Sequence, residues 1–335
     1  MKLNRPVGLF LCGGGALGSW QSGVLAELVN SGLSFDAVAG FSVGALNGAA
    51  YCYNKTGELG GIWQNMKPGV IFDFSPRYCN MPLELYKHYS NNLFSKAGFF
   101  LQNRLAKFSL FSNKPLYSFL NNWLSRSGAA FKRDVSFYVI SHIVEMKLPY
   151  IACFDGSAMD SARGPWQAGV TAMDSARGPW QAGVTAAGGP LSFADALVAS
   201  CSIPLVFPPV KLTEHGRDYH LVDGGVIGIA TINLNIFDGC RTVIMVSNTR
   251  PEDLTFTAGG FWGYFETKAR RMLALHTDKI YESRVFIKST PEVHLIMPPE
   301  NLGLRILEFE GEKCARAFAI GEKAAEKFVK QLHQS

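Results

Sequence analysis

A chain of 335 residues with 47% hydrophobic side chains can bury one large core, and its length suits one or two domains. Its seven cysteines, odd in number and without a Cys-x-x-Cys, argue for reduced thiols, and no His/Cys/Asp/Glu cluster has metal-ligand spacing, so no cofactor or metal is expected. The net charge of +5 comes with no nucleic-acid-binding motif, and no apolar stretch reads as a transmembrane helix or signal peptide; the expectation is a cytoplasmic protein, peripheral to membranes at most.

Val7 to Cys12 is an apolar run of strand length, and Ser19 to Val29 reads as a helix with Val24, Leu25 and Leu28 on one face. Between them, Gly13, Gly14 and Gly15 leave backbone N–H groups bare. Such a nest binds an anion, whether a phosphate or the oxyanion of a tetrahedral acyl intermediate. Gly13-x-Gly15-x-x-Gly18 also spells a dinucleotide fingerprint, but the required acid is misplaced. Asp36 has the right distance yet opens the second strand, whereas a ribose would lie at that strand's far end.

Phe35 to Phe41 suits a second buried strand and Val43 to Tyr53 a second helix. At their junction stands Gly40-Phe41-Ser42-Val43-Gly44. A serine on a sharp strand-to-helix turn needs glycines two residues either side, because a Cβ there would meet the backbone folding around it. Ser42 at a helix N-terminus would also meet a field that favours negative charge. As a lone string, the same pattern suits a serine that merely caps a helix.

Residues 54 to 133 hold eleven Lys/Arg against three Asp/Glu, and 15 of the chain's 41 aromatics. This basic, aromatic-rich helical subregion suits either a Phe-rich core with solvated lysines, Leu105, Phe108 and Phe111 falling at helical spacing, or a surface for anionic bilayers through Lys96, Arg104 and Lys107. Residues 158 to 171 recur unchanged at 172 to 185. The stretch 155 to 190 that contains this tandem 14-residue repeat reads as an inserted loop without structure of its own.

Asp223-Gly224-Gly225 follows a strand-like stretch and puts a carboxylate on a glycine turn. A serine nucleophile requires a base within hydrogen-bond reach, and Asp223 has the most site-like setting among the acids. Partial burial would raise its proton affinity. Further on, Phe261 to Arg284 and Leu307 to Leu332 read as helices and Val293 to Met297 as a late strand. Lys268, Arg270 and Arg271 suit a solvated helix face, or failing that an extension of a membrane-facing patch.

Four blocks together resemble the patatin-like phospholipases. They are Leu11 to Gly18 with Gly23-Val24-Leu25, Gly40 to Asn47, Ala199 to Val210, and Val222 to Gly225. The resemblance implies a three-layer α/β/α fold with a mostly parallel central sheet in one domain over 5 to 335. It implies a Ser-Asp dyad of Ser42 and Asp223, an oxyanion hole at Gly13 to Gly15, and hydrolysis of an acyl-lipid substrate such as a phospholipid. Two departures stand out: Leu17 replaces the family's usual Arg or Lys, and Ile229 and Thr231 stand where an Asn and a Pro follow the aspartate turn. A lipid acyltransferase and a catalytically idle lipid-binding scaffold are the alternatives. A conventional Ser-His-Asp hydrolase carries its elbow deeper in the chain, and the seven histidines, His220 near Asp223 included, read as surface or satisfied residues.

Overall fold

Strand β1 (Val7–Leu11) is apolar at every position and buried along its whole length, as a strand covered on both faces must be. In the computed structural model, the described residues are 3–71, 73, 109, 111–124, 130–146, 148–155, 169–171, 191–204, 206–214, 217–225, 234–282 and 290–334. Around β1 gather β2 (Ala37–Phe41), β3 (Ser136–Ile143), β4 (Leu148–Asp155), β5 (Gly169–Thr171), β6 (Val210–Glu214), β7 (Arg217–Asp223), β8 (Thr242–Val246) and β9 (Glu292–Ile296). They form one sheet whose main path runs β5-β4-β3-β2-β1-β8-β9. The centre, β3-β2-β1-β8-β9, is parallel throughout, while β4, β5, β6 and β7 join antiparallel on one side.

Alternation along the strands defines the layers. Leu9 pairs with Val38, and Val38 with Phe137, so these three share one face; Gly8 and Phe10 share the other. On the first face lies helix α2 (Val43–Cys52), whose Gly48 stands against Phe137 and Val38. On the second, the 3-10 turn Leu234–Phe237 sets the Phe237 ring edge-on to Phe10, centroids 6.2 Å apart, in space a Cβ on Gly8 would fill. The sheet is therefore sandwiched, giving the expected α/β/α architecture.

Helices α1 (Gly18–Asn30), α3 (Leu59–Gln64), α4 (Pro68–Ile71), α5 (Lys114–Leu124), α6 (Phe193–Ser200), α7 (Gly260–Glu282) and α8 (Gly311–Gln334) complete the described framework. α1 and α8 cross with their backbones nearly touching: a Cβ on Gly23 would overlap Phe318 O, and one on Gly321 would overlap Trp20 O. α6 starts with a reciprocal capping box, Ser192 Oγ accepting from Asp195 N at 3.0 Å.

Three expectations change. The last helix starts at Gly311 rather than Leu307, because Leu307 to Glu310 run as an apolar-charged connection whose leucine and Phe309 face a cavity. Gly169–Thr171, inside the first repeat copy, pairs with β4 instead of looping; a β-branched Val-Thr pair suits an edge strand. The second copy, Lys96, Arg104, Lys107, Leu105 and Phe108 lie outside the described residues. Phe111 is not in a helix. Its amide donates to Val206 O at 2.9 Å and its ring packs with Phe207.

If the Phe237 turn closes the second face, Phe237→Ala should cost about 3–5 kcal/mol in urea unfolding. Loss under about 1 kcal/mol would mean that this face is covered by something else.

Candidate active site

Strand β3 carries two partners on one edge. β2 pairs parallel to it and ends with Phe41 opposite Ile140; β7 pairs antiparallel and ends with Asp223 opposite Ser141. The carboxyl ends of β2 and β7 thus meet head to head at neighbouring positions of β3. Ser42 follows Phe41 directly, so register alone brings Ser42 and Asp223 together.

Ser42 sits between β2 and α2 with φ 54° and ψ −134°, a backbone region that favours glycine. Several contacts hold it there. Its amide donates to Ser200 Oγ at 2.9 Å and Ser200 O at 3.1 Å, and Ser200 Oγ donates onward to Ile140 O at 2.6 Å. Gly40 and Gly44 make the turn sterically possible: a Cβ on Gly40 would lie 2.6 Å from Gly44 C, and one on Gly44 would overlap Leu11 O.

Asp223 is 2% exposed. Its amide donates to Ser202 O at 2.9 Å, and its Oδ1 accepts from Gly225 N at 2.8 Å. Side chains at the two glycines after it would collide with Ile140 O (2.7 Å from a Gly224 Cβ) and the Phe41 ring (2.6 Å from a Gly225 Cβ). Burial pushes the carboxyl up to about 7, opposed by the neighbouring Ser42 hydroxyl and the Gly225 amide. Oδ2 is buried and accepts no hydrogen bond of standard geometry among the described residues. Ser42 is thus near enough to act on the carboxyl without saturating it.

Across from this pair runs the loop Gly13 to Leu17. Gly13 lies so close to Ser42 that a Cβ would stand 3.0 Å from the serine Cβ. Ala16 N donates to Ile306 O at 2.7 Å and Leu17 N to Gly14 O at 3.1 Å, whereas the amides of Gly13, Gly14 and Gly15 donate to no acceptor among the described residues. Polar side chains hold the loop by its carbonyls. Asn248 Nδ2 donates to Cys12 O (2.8 Å) and Gly13 O (3.2 Å), Gln21 Nε2 to Cys12 O (3.0 Å), and Asn47 Nδ2 to Gly18 O (3.1 Å). Leu17 is wholly buried in the core, so its side chain is packing rather than a charge beside the loop.

Beside Ser42 opens a cavity of about 90 Å³, lined by Gly15, Leu46, Trp63, Leu116, Trp123 and Phe309 among others and, among the described residues, by no charged side chain. A larger space of about 820 Å³ adjoins it, since Met66, Leu307 and Phe309 line both; Lys67 and Arg305 face it together with Glu266, Glu308, Glu310 and Glu312.

The remaining sequence candidates fall elsewhere. Asp36 pairs with Arg5 and its Oδ2 accepts from Val7 N at 2.6 Å, at the opposite end of the strands from the glycine loop. His220 pairs with Glu145 (2.6 Å). His142 and His276 are buried and held near pKa 4 by desolvation, with Nε2 unpartnered among the described residues, so they are neither surface nor satisfied. No described imidazole hydrogen-bonds Asp223. Arg270, expected on a solvated helix face, is 4% exposed, while Arg271 Nε donates to Phe256 O at 2.8 Å. Ile229 and Thr231 lie outside the described residues. The six described cysteines are free and buried.

Ser200, Asn248, Gln21 and Asn47 were not singled out from sequence as positioning groups. Ser200 and Asn47 lie within family-like blocks, but nothing local marks their roles.

Positive φ at Ser42 makes a stability prediction independent of chemistry. Glycine usually destabilises relative to alanine, yet here Ser42→Gly should be more stable than Ser42→Ala by about 1 kcal/mol in denaturant unfolding. The ordinary order would show that the turn is unstrained.

A family model described as Patatin-like phospholipase matches residues 9–234. Over 72 residues the chain is 39% identical to the lysophospholipase nte1 of Aspergillus terreus, a match covering 18% of this chain and 5% of that protein, so the chain spans a small part of that relative's length. The crystal structure of VipD from Legionella pneumophila aligns at 11% identity and a TM-score of 0.40, covering 99% of this chain and 67% of that one. With the family match extending from β1 past Asp223, this chain belongs to the patatin-like phospholipase family.

Proposed function

We propose that this protein is a serine lipid acyl hydrolase working through a Ser42–Asp223 dyad and an acyl-enzyme. The observation that carries the reading is the meeting of a strained serine with a buried carboxyl that desolvation pushes up to about 7 and whose Oδ2 accepts no hydrogen bond of standard geometry among the described residues. A base of that affinity is half ionised near neutral pH and can both take and return a proton.

Ser42 Oγ attacks the ester carbonyl carbon as its proton passes to Asp223. The carbonyl oxygen becomes anionic and accepts hydrogen bonds from amides of Gly13 to Gly15, which have no competing acceptor among the described residues. Collapse of the adduct breaks the bond to the leaving alkoxide, which receives the proton from Asp223 and departs as an alcohol. Water then attacks the acyl-serine, Asp223 accepts its proton, and collapse releases the fatty acid and returns the proton to Ser42. No imidazole among the described residues hydrogen-bonds Asp223, so the proton transfers are assigned to the carboxylate alone.

The cavity beside Ser42, whose described lining is uncharged, suits an acyl chain, which gains by leaving water. The larger, partly charged space next to it suits the remainder of a lipid ester. The family and the lysophospholipase relative favour a phospholipid or lysophospholipid as that ester.

Ser42→Ala and Asp223→Asn should each lower hydrolysis of a short soluble ester on the order of 10³-fold or more, and the double variant should be scarcely worse, since the pair acts as a unit. Activity near wild type in either single variant would refute the dyad.

The raised pKa of Asp223 gives two signs. kcat/KM should fall as pH drops below about 7, because the base must be ionised. Folded-state proton affinity exceeds that of the unfolded chain, so the group's contribution to stability is full below the ordinary carboxylate pKa and is lost as pH rises through about 7. Asp223→Asn should therefore stabilise the fold at pH 8 and progressively less toward pH 4. Unfolding midpoints showing no such convergence would mean that the carboxyl is not desolvated.

Leu46→Trp, filling the cavity wall, should depress turnover of long-chain esters well below that of an acetyl ester. Equal effects on both would place the acyl chain elsewhere.

A further inference from the structure

We infer that Arg270 and Glu266 are positioning residues that set the oxyanion loop through the backbone of Leu304 to Ile306, an inference that rests on the hydrolase reading above. Neither side chain reaches Ser42 or Asp223. Both act through one short segment.

Arg270 and Glu266 lie one turn apart on α7, their side chains 5% and 3% exposed. Arg270 Nε donates to Glu266 Oε1 at 2.5 Å, its Nη1 to Asp253 Oδ1 at 3.3 Å, and its Nη2 to Leu304 O. Its guanidinium also stacks 4.6 Å from the Phe256 ring centre. Glu266 Oε2 accepts from Ile306 N at 2.9 Å. The segment is thus gripped from both sides, by a cation on the Leu304 carbonyl and an anion on the Ile306 amide.

What the grip holds is the loop. Ile306 O accepts Ala16 N at 2.7 Å, and Gly15, at φ +56°, lies so near Ile306 O that any Cβ would overlap it. By taking the Ala16 amide, Ile306 fixes which amides of the loop remain free. Just beyond, Leu307 and Phe309 form part of the wall of the cavity beside Ser42. A shift of Leu304 to Ile306 would therefore move the anion-binding amides relative to Ser42, and misplacement by about 1 Å can cost on the order of 10²-fold in rate.

Charge placement makes the arrangement exacting. A buried cation facing two carboxylates is held by geometry rather than by net attraction, and removing one partner leaves an uncompensated charge. Lysine in place of Arg270 keeps the charge but lacks the planar fork that reaches three acceptors. Glutamine in place of Glu266 keeps the shape but offers only one acceptor oxygen where two donors, Arg270 Nε and Ile306 N, point.

The experiment compares the full chain with Arg270→Lys and with Glu266→Gln. It measures kcat and KM for a short soluble ester, the affinity for a trifluoromethyl ketone, whose serine adduct carries an oxyanion, and the unfolding midpoint. In at least one folded variant, kcat should fall about tenfold to 10²-fold with KM within about threefold, and ketone affinity should fall in step with kcat. A role in folding alone would lower the midpoint without that split. Folded variants with wild-type kcat and ketone affinity would overturn the inference, as would failure of both variants to fold, which would make the cluster a folding element. A wild-type protein inert toward both ester and ketone would instead refute the hydrolase reading, and this inference with it.

Discussion

The site depends on one constraint: the edge of β3 is shared end to end by β2 and β7. Parallel pairing brings β2 up to Ile140, antiparallel pairing brings β7 down to Ser141, and both strands must stop where they meet. Their terminal residues are then neighbours by register, before any side-chain interaction is counted. A one-residue slip in either strand would separate Ser42 from Asp223 and turn every following side chain to the wrong face. The full burial of Phe41, Ile140 and Val222 makes such a slip costly.

The meeting point is held in an unfavourable state by well-packed surroundings. Ser42 has a backbone conformation that glycine would adopt more readily, and Asp223 is buried with its Oδ2 accepting no hydrogen bond of standard geometry among the described residues. Offsetting contacts come from the end of α6, where Ser200 and Ser202 receive the amides of Ser42 and Asp223 through their carbonyls. One helix end therefore supports both members of the pair. The glycine loop is supported separately, by Asn248, Gln21 and Asn47 on its carbonyls and by Ile306 on the Ala16 amide.

Legibility in the sequence followed the range of the interactions. Gly40, Ser42 and Gly44 are readable because the steric demand of a sharp turn acts over a few residues, and the apolar runs of β1 and β2 announce strands covered on both faces. The glycine turn that carries Asp223 is legible because a turn after a strand is local too. Ser200 is not, since its role is to join an α6 end to the Ser42 amide across 158 positions. Arg270 reads as solvated because a cation amid Lys268 and Arg271 looks surface-borne, while its carboxylate Asp253 and its carbonyl Leu304 are 17 and 34 positions away. The strand formed by Gly169–Thr171 escaped notice for the same reason: three residues carry no periodicity, and only the edge of β4 makes them a strand.

The most direct measurement of the central claim is the site of covalent capture. Intact protein incubated with a fluorophosphonate at pH 8 should gain the mass of one phosphonyl group, and peptide mapping should find it on Ser42, with capture much slower in the Asp223→Asn variant, whose neutral amide cannot accept the serine proton. Labelling of another serine, or equal labelling rates in wild type and Asp223→Asn, would contradict the account.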